Sequence, residues 1–288
     1  MNTEVVDLNT LIPEDDFRIS IPSDPGLHEI FSKRFPGIPP IVINPGKVII
    51  SGYDSYDFMI TNNVEQSEVF VTNIETKEGL FLGYNSRAAI KPLSIYEKLN
   101  FLKNITKFTN ADEIYERTHL GIRIDENLIS LLSELTIGLT GELLTENRIS
   151  LKTALRLCTY SEENKKELAG IFSNVSFSSS NELNLLDMIS DLCFREKTNV
   201  KSILKLINSE ALYEEKDAST ALLSGLSRLR YPSFTDHENE WNSEIGKIKI
   251  PFKHSIHHSP FFEKKSVELK LFLDSIEKIK QISEKLRD

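Results

Sequence analysis

Apolar residues recur with two different periods along the chain, and the change falls near residue 95. Before it, short runs of β type (Phe17 to Ile21, Ile41 to Ile43, Val48 to Ser51, Val69 to Ile74 and Leu80 to Leu82) stand between Pro, Gly and Asn residues. Two segments between them have helical character: Leu27 to Phe35, after Ser23-Asp24-Pro25, and Ser55 to Asn62, after the turn at Gly52. A small α/β domain over residues 1–95 is predicted.

From Ser94 the period is helical. Ile95, Leu99, Leu102 and Ile105 share one face, and Leu128, Leu131, Leu132 and Leu135 form a second stripe. Polar residues that can accept from free helix amides mark further starts at Ser150, Ser161, Ser180 and Asn199. The run Ser178-Ser179-Ser180 reads as a flexible join, and a last helix spans about Ala211 to Leu229, ended by Tyr231-Pro232-Ser233. A helical domain over 96–230 follows.

Residues 231–288 predict a third module. A helix carries Trp241 and Ile245, β-like segments follow at Lys247 to Ile256 and Val267 to Leu273, and Asp274 and Ser275 cap a helix with Ile276, Ile279, Ile282 and Leu286 on one face. Two strands and a helix are marginal alone, so dimerisation through this module is expected. The fold class is α+β: a small α/β domain, a helical domain and a strand-strand-helix module.

Charge changes the picture by region. Residues 1–95 hold seven Lys and Arg against thirteen Asp and Glu, 96–210 hold fourteen against seventeen, and 211–288 hold thirteen of each, giving the overall −9. A net acidic chain is a poor non-specific ligand for a polyanion. No apolar run reaches the roughly 18–20 residues that cross a bilayer, and Met1 to Asp7 lacks the basic, apolar start of a signal peptide, so a soluble, cytoplasmic protein is expected. Cys158 and Cys193 lie in amphipathic helices and read as buried thiols.

The order of elements from Ile38 to Leu204 resembles the ParB-like family, whose small domain shares the ParB/sulfiredoxin fold. The resemblance rests on Lys47-Val48-Ile49-Ile50-Ser51-Gly52, on Asn85 with Arg87, Leu93 and Glu97, and on Asn147 to Leu155. In that family a strand ends in glycine and basic residues that bind a nucleotide phosphate at a helix amino terminus. Here Tyr53, Asp54 and Ser55 take the basic places, and Arg87 lies closer to Asn85 than the family spacing has it. Gly52, Asn85 and Arg87 are what the resemblance implies for a nucleotide site, with magnesium as an accompanying ion. The structural alternative is that Asn85 caps a turn and Arg87 pairs with a surface carboxylate.

The resemblance also implies a helix-turn-helix, with Ala111 to Arg117 as first helix, His119-Leu120-Gly121 as turn and Asp125 to Leu135 as recognition helix. That second helix has no Lys or Arg before Glu134. DNA contacts would fall to Arg117, His119, Arg123, Asn127 and Ser130, with Ser133 beyond. No cysteine precedes Cys158, which excludes the sulfiredoxin nucleophile.

Other clusters are weaker. His254, His257 and His258 alternate in facing on a strand, a poor zinc spacing, and Phe261-Phe262 reads as an anchor. Asp54 and Asp57 are the place to look for a metal, since Glu14-Asp15-Asp16 and Glu162-Glu163 fit a polar stretch and a helix start. No P-loop, dinucleotide fingerprint or serine-nucleophile motif occurs.

The expected function is a DNA-associated binding protein with a partition or regulatory role and no catalytic or metal residues, acting as a homodimer, with a partner ATPase as a further implication of the resemblance. A cytidine-nucleotide hydrolase and a dimeric interaction module are the alternatives.

Overall fold

The computed structural model describes residues 2–21, 25–34, 37–250, 253–259, 266–273, 275–276 and 279. They divide into two compact units, Met1–Leu186 with Asn199–Lys201, and Asp187–Thr198 with Ser202–Asp288. The architecture is α+β.

The first unit begins with β1 (Asn2–Asp7), a 3-10 turn (Leu8–Thr10), α1 (Pro25–Arg34), β2 (Ile41–Ile43), β3 (Ile49–Ser51), α2 (Tyr53–Thr61), β4 (Gln66–Val71) and α3 (Thr76–Ala88). The sheet order is β1-β4-β2-β3, with β2 parallel to β4 and the other pairs antiparallel. Ile41, Ile43, Ile49 and Val69 from the sheet and Leu8 and Phe31 from outside it are essentially inaccessible, and they form the core. Continuous apolar runs in β2 and β3 match strands with no face left to water.

Two expected elements differ, and one strand was not expected. Phe17 to Ile21 is not a strand: the Phe17 and Arg18 amides donate to the Glu14 and Asp15 carbonyls in a turn, and Ile12 makes an isolated bridge with Val48 instead. Leu80 to Leu82 lies in the middle of α3. The flanking Gly79 and Gly83 look like strand punctuation but serve close packing, since a Cβ on Gly79 would lie 2.8 Å from Ile50 Cγ2. The sequence pattern marks no strand over β1, because it is an edge strand with only Val6 buried and its alternation is invisible.

The helices of this unit continue as α4 (Ile95–Ile105), α5 (Ala111–Arg117), α6 (Glu126–Thr136), α7 (Gly138–Thr145), α8 (Leu151–Leu157), α9 (Glu162–Asn174) and α10 (Ser179–Glu196), and the unit boundary falls within α10. Ser94 and Glu97 form a reciprocal capping box on α4, and Ser150 and Ser161 cap α8 and α9. The serine run is no loose join. Ser179 and Ser180 are already helical, and the Ser178 hydroxyl accepts from the Asn181 amide. α4 packs against α6 and α7, and Leu99, Phe101 and Leu102 of α4 and Leu135 of α6 are fully buried.

The remaining elements are α11 (Val200–Leu206), α12 (Ser209–Leu212), α13 (Ala218–Arg230), α14 (Pro232–Lys247), β5 (Lys253–His258) and β6 (Val267–Phe272). The single helix expected over Ala211 to Leu229 is two, because Asp217 caps a new start by accepting from the Thr220 amide. Pro232 opens α14 at its first turn, where a missing amide costs nothing, so the breaker starts a helix. β5 and β6 form an antiparallel hairpin. The helix expected from Asp274 to Leu286 and the Phe261-Phe262 anchor lie largely or wholly outside the described residues.

Candidate functional site

Where β3 gives way to α2, Gly52 has φ of 86°, and a side chain there would place Cβ 2.6 Å from the Pro40 carbonyl oxygen. Only glycine fits that turn. The chain enters α2 at once, so the amides of its first turn and the side chains of Asp54 and Ser55 meet beside the sheet.

Asp54 is answered by Arg87 from the last turn of α3. Arg87 Nε lies 3.1 Å from Asp54 Oδ2, and Arg87 Nη2 lies 2.7 Å from Glu97 Oε1 of α4. Nη1 points to the Lys91 carbonyl at 3.5 Å. The other carboxylate oxygen of Glu97 accepts from the Ser94 amide and hydroxyl at 2.7 and 2.9 Å. One guanidinium therefore joins α2 to the capping box of α4, and all three of its nitrogens face acceptors.

Two carboxylates face one guanidinium in a nearly dry site. Burial pushes Asp54 up to about 6; Arg87 and the neighbouring Ser20 hydroxyl pull it down, while Glu97 and Asp57 add to the rise. Asp57, one turn along α2, belongs to a second pair: Arg18 grips both of its oxygens at 2.7 and 3.1 Å and stacks 4.7 Å from the Tyr53 ring. The two acids of the expected metal position are thus each matched to an arginine. Among the described residues no group of three or more His, Cys, Asp or Glu is placed to hold a metal ion.

A cavity of about 230 Å³ lies against this turn, between Phe17, Pro40, Phe70 and Leu82, with Asp54, Ser55 and Arg87 on its wall. Ser55 is 1 % exposed, and its hydroxyl has no hydrogen-bond partner among the described residues.

Of the residues expected at a nucleotide site, Gly52 and Arg87 line this cavity. Asn85 lies on the exposed side of α3, its amide 3.4 Å from the Arg117 carbonyl. Positions two apart on a helix point in different directions, which separates the pair. Asp54, expected at this turn as a place to look for a metal, and Glu97 and Ser55 complete the arrangement; the pairing of both carboxylates with Arg87 was not assigned from sequence. The available signal was Glu97 as third residue after the cap Ser94, which placed its carboxylate at the start of α4 without revealing its second partner.

The expected helix pair is present as α5 and α6, joined by Thr118 to Asp125, with Gly121 at φ of 66° and Asp125 accepting from the Leu128 amide at 2.9 Å. Leu128, Leu132 and Leu135 are buried, and Asn127, Ser130 and Ser133 are exposed. His119 and Arg123 are exposed in the connection. Arg117 is engaged elsewhere: it binds Glu78 at 2.6 and 2.9 Å and Glu113 at 3.2 Å, and lies 3.8 Å over the Phe81 ring. Its hydrogen bond pulls Glu78 down, and bonds from Thr109 first and Lys77 next bring Glu113 to about 2.

In the second unit His254 and His258 share a face of the hairpin with Ile256, Val267, Leu269 and Leu271, and His257 lies on the other. The His258 ring meets Trp241 of α14 edge-on at 5.3 Å. Burial raises both thiols, Cys158 to about 12, and both are half-buried. Among the described residues no single helix is long and apolar enough to cross a membrane.

No protein-family model and no curated protein matches the chain. Solved structures do. A Pnob8-like ParB-N domain is 15% identical, covering 83% of this chain and 96% of that one with a TM-score of 0.33. The C-terminally truncated chromosome-partitioning protein ParB from Caulobacter crescentus, complexed with CTP-gamma-S, is 15% identical, covering 60% of this chain and 99% of that one with a TM-score of 0.28.

Proposed function

We propose that this chain is a DNA-associated binding protein with a partition or regulatory role, acting through α5 and α6 without turning over a nucleotide. The observation that carries the reading is the setting of α6. Its leucine face is buried against α4, while Asn127, Ser130 and Ser133 form an exposed polar row beside exposed His119 and Arg123. Such a row can hydrogen-bond base edges, and the two exposed basic side chains suit phosphates. With so few cations the affinity is small and strongly dependent on fit.

The absence of turnover is supported by Arg87, whose nitrogens face Asp54, Glu97 and the Lys91 carbonyl. A triphosphate would have to displace two buried carboxylates and then lie beside them. Homodimerisation belongs to the same reading, supported by exposed Val267 and Leu269 on the apolar face of the hairpin.

Fluorescence anisotropy with a labelled duplex from the gene's own upstream region tests the proposal. Binding at low salt, weakened by Arg123→Ala and unaffected by added nucleotide, is expected. No binding even at low salt removes DNA from the account and leaves an interaction module.

A further inference from the structure

We propose that the cavity beside Gly52 is a binding site for a small, mostly apolar amine, with its ammonium group at the Asp54 carboxylate and its hydrocarbon body between Phe17, Pro40, Phe70 and Leu82. The proposal does not depend on the DNA reading.

Size comes first. A dry apolar cavity of about 150 Å³ suffices for benzene, and this one has about 230 Å³ with predominantly apolar walls. A ring or short branched chain with a polar head fits.

Charge then selects the head. Asp54 and Glu97 supply two carboxylates to one guanidinium, which leaves the cluster one negative charge in excess. Arg87 is directed at its own acceptors, so it offers an incoming anion no free nitrogen. An ammonium group instead supplies the missing positive charge and finds spare acceptor capacity on a carboxylate that has about four lone-pair sites. A neutral ligand leaves the excess charge in place.

The Ser55 hydroxyl gives the site a second polar point. Ser55 lines the cavity, and its buried hydroxyl has no partner among the described residues. A buried hydroxyl without a partner is costly, and an amine N–H directed at it relieves that cost.

Isothermal titration of the full chain with benzylamine and with benzyl alcohol, its neutral counterpart, tests the assignment. At pH 7.5 benzylamine is expected to bind about ten-fold more tightly than the alcohol, and Asp54→Asn to bring the two together. Val42→Phe, which fills the cavity, is expected to abolish both. If Asp54→Asn does not fold, the wild-type protein still decides: benzylamine stays protonated between pH 7.5 and 5, and its affinity should fall about ten-fold as Asp54 takes up a proton. The charged groups facing Asp54 are Arg87 of α3, Glu97 of α4, Asp57 of its own helix and Arg18 of the segment before α1. No binding of benzylamine, equal binding of amine and alcohol, a pH-independent affinity, or retention in Val42→Phe each overturns the proposal.

Discussion

The Arg87 guanidinium meets the Asp54 carboxylate at 3.1 Å inside the first unit, with side-chain exposures of 3% and 9%. The same guanidinium holds Glu97 at 2.7 Å. A cation so placed serves the fold first, because each carboxylate it matches would otherwise be a bare charge away from water.

Arg87→Ala leaves both acids buried and unmatched. A loss of about 3–5 kcal/mol in unfolding free energy is expected, measured by urea denaturation. Arg87→Lys should recover only part of it, because a single ammonium cannot face Asp54 and Glu97 as a planar fork does.

Asp54 predicts an unusual pH dependence. Its folded value of about 6 lies above the ordinary 3.8, so between these limits the folded state binds more protons than the unfolded chain. Its contribution to stability is fully present below the lower limit and is lost as pH rises through about 6. The loss amounts to about 3 kcal/mol at most. Stability of wild type minus that of Asp54→Asn should therefore fall as pH rises from 4 to 7; a flat difference would show that Asp54 titrates normally.

Gly52→Ala and Gly138→Ala form a matched pair. Both glycines have left-handed backbones, with φ of 86° and 64°, but a Cβ at Gly138 meets nothing within 4 Å, whereas at Gly52 it meets the Pro40 carbonyl oxygen at 2.6 Å. Gly138→Ala should cost about 1 kcal/mol and Gly52→Ala at least twice as much, read as midpoints of chemical denaturation.

Arg117 and Arg123 should separate stability from DNA contact. Arg117 ties α5 to α3 through Glu78 and stacks on Phe81, so Arg117→Ala should lower the melting temperature. Arg123→Ala should leave melting unchanged and reduce the salt slope of DNA binding by about 1. The reverse assignment would mean that α5 and α6 do not present the binding face.

Sequence periodicity located most helices because caps and apolar stripes are local. Ser94, Ser150, Ser161 and Asp125 each fix a start within a few residues of themselves. The strands were less legible. Exposed β1 has no alternation to detect, and the glycines of α3 imitate turns while they let the helix approach Ile50. In the candidate site, Gly52 was legible because a strand, a glycine and a helix start follow one another. The pairing of Asp54 with Arg87 and of Asp57 with Arg18 was not, since each brings together distant parts of the chain. Read without their arginines, the two acids suggested a metal position.

In the proposed reading Arg87 is spent within the protein and gives no phosphate site at the head of α2. Calorimetric titration of the full chain with cytidine triphosphate and magnesium tests it most directly. No binding heat is expected at nucleotide concentrations up to the millimolar range; saturable binding that disappears in a folded Arg87→Lys variant would mean that Arg87 does hold a nucleotide.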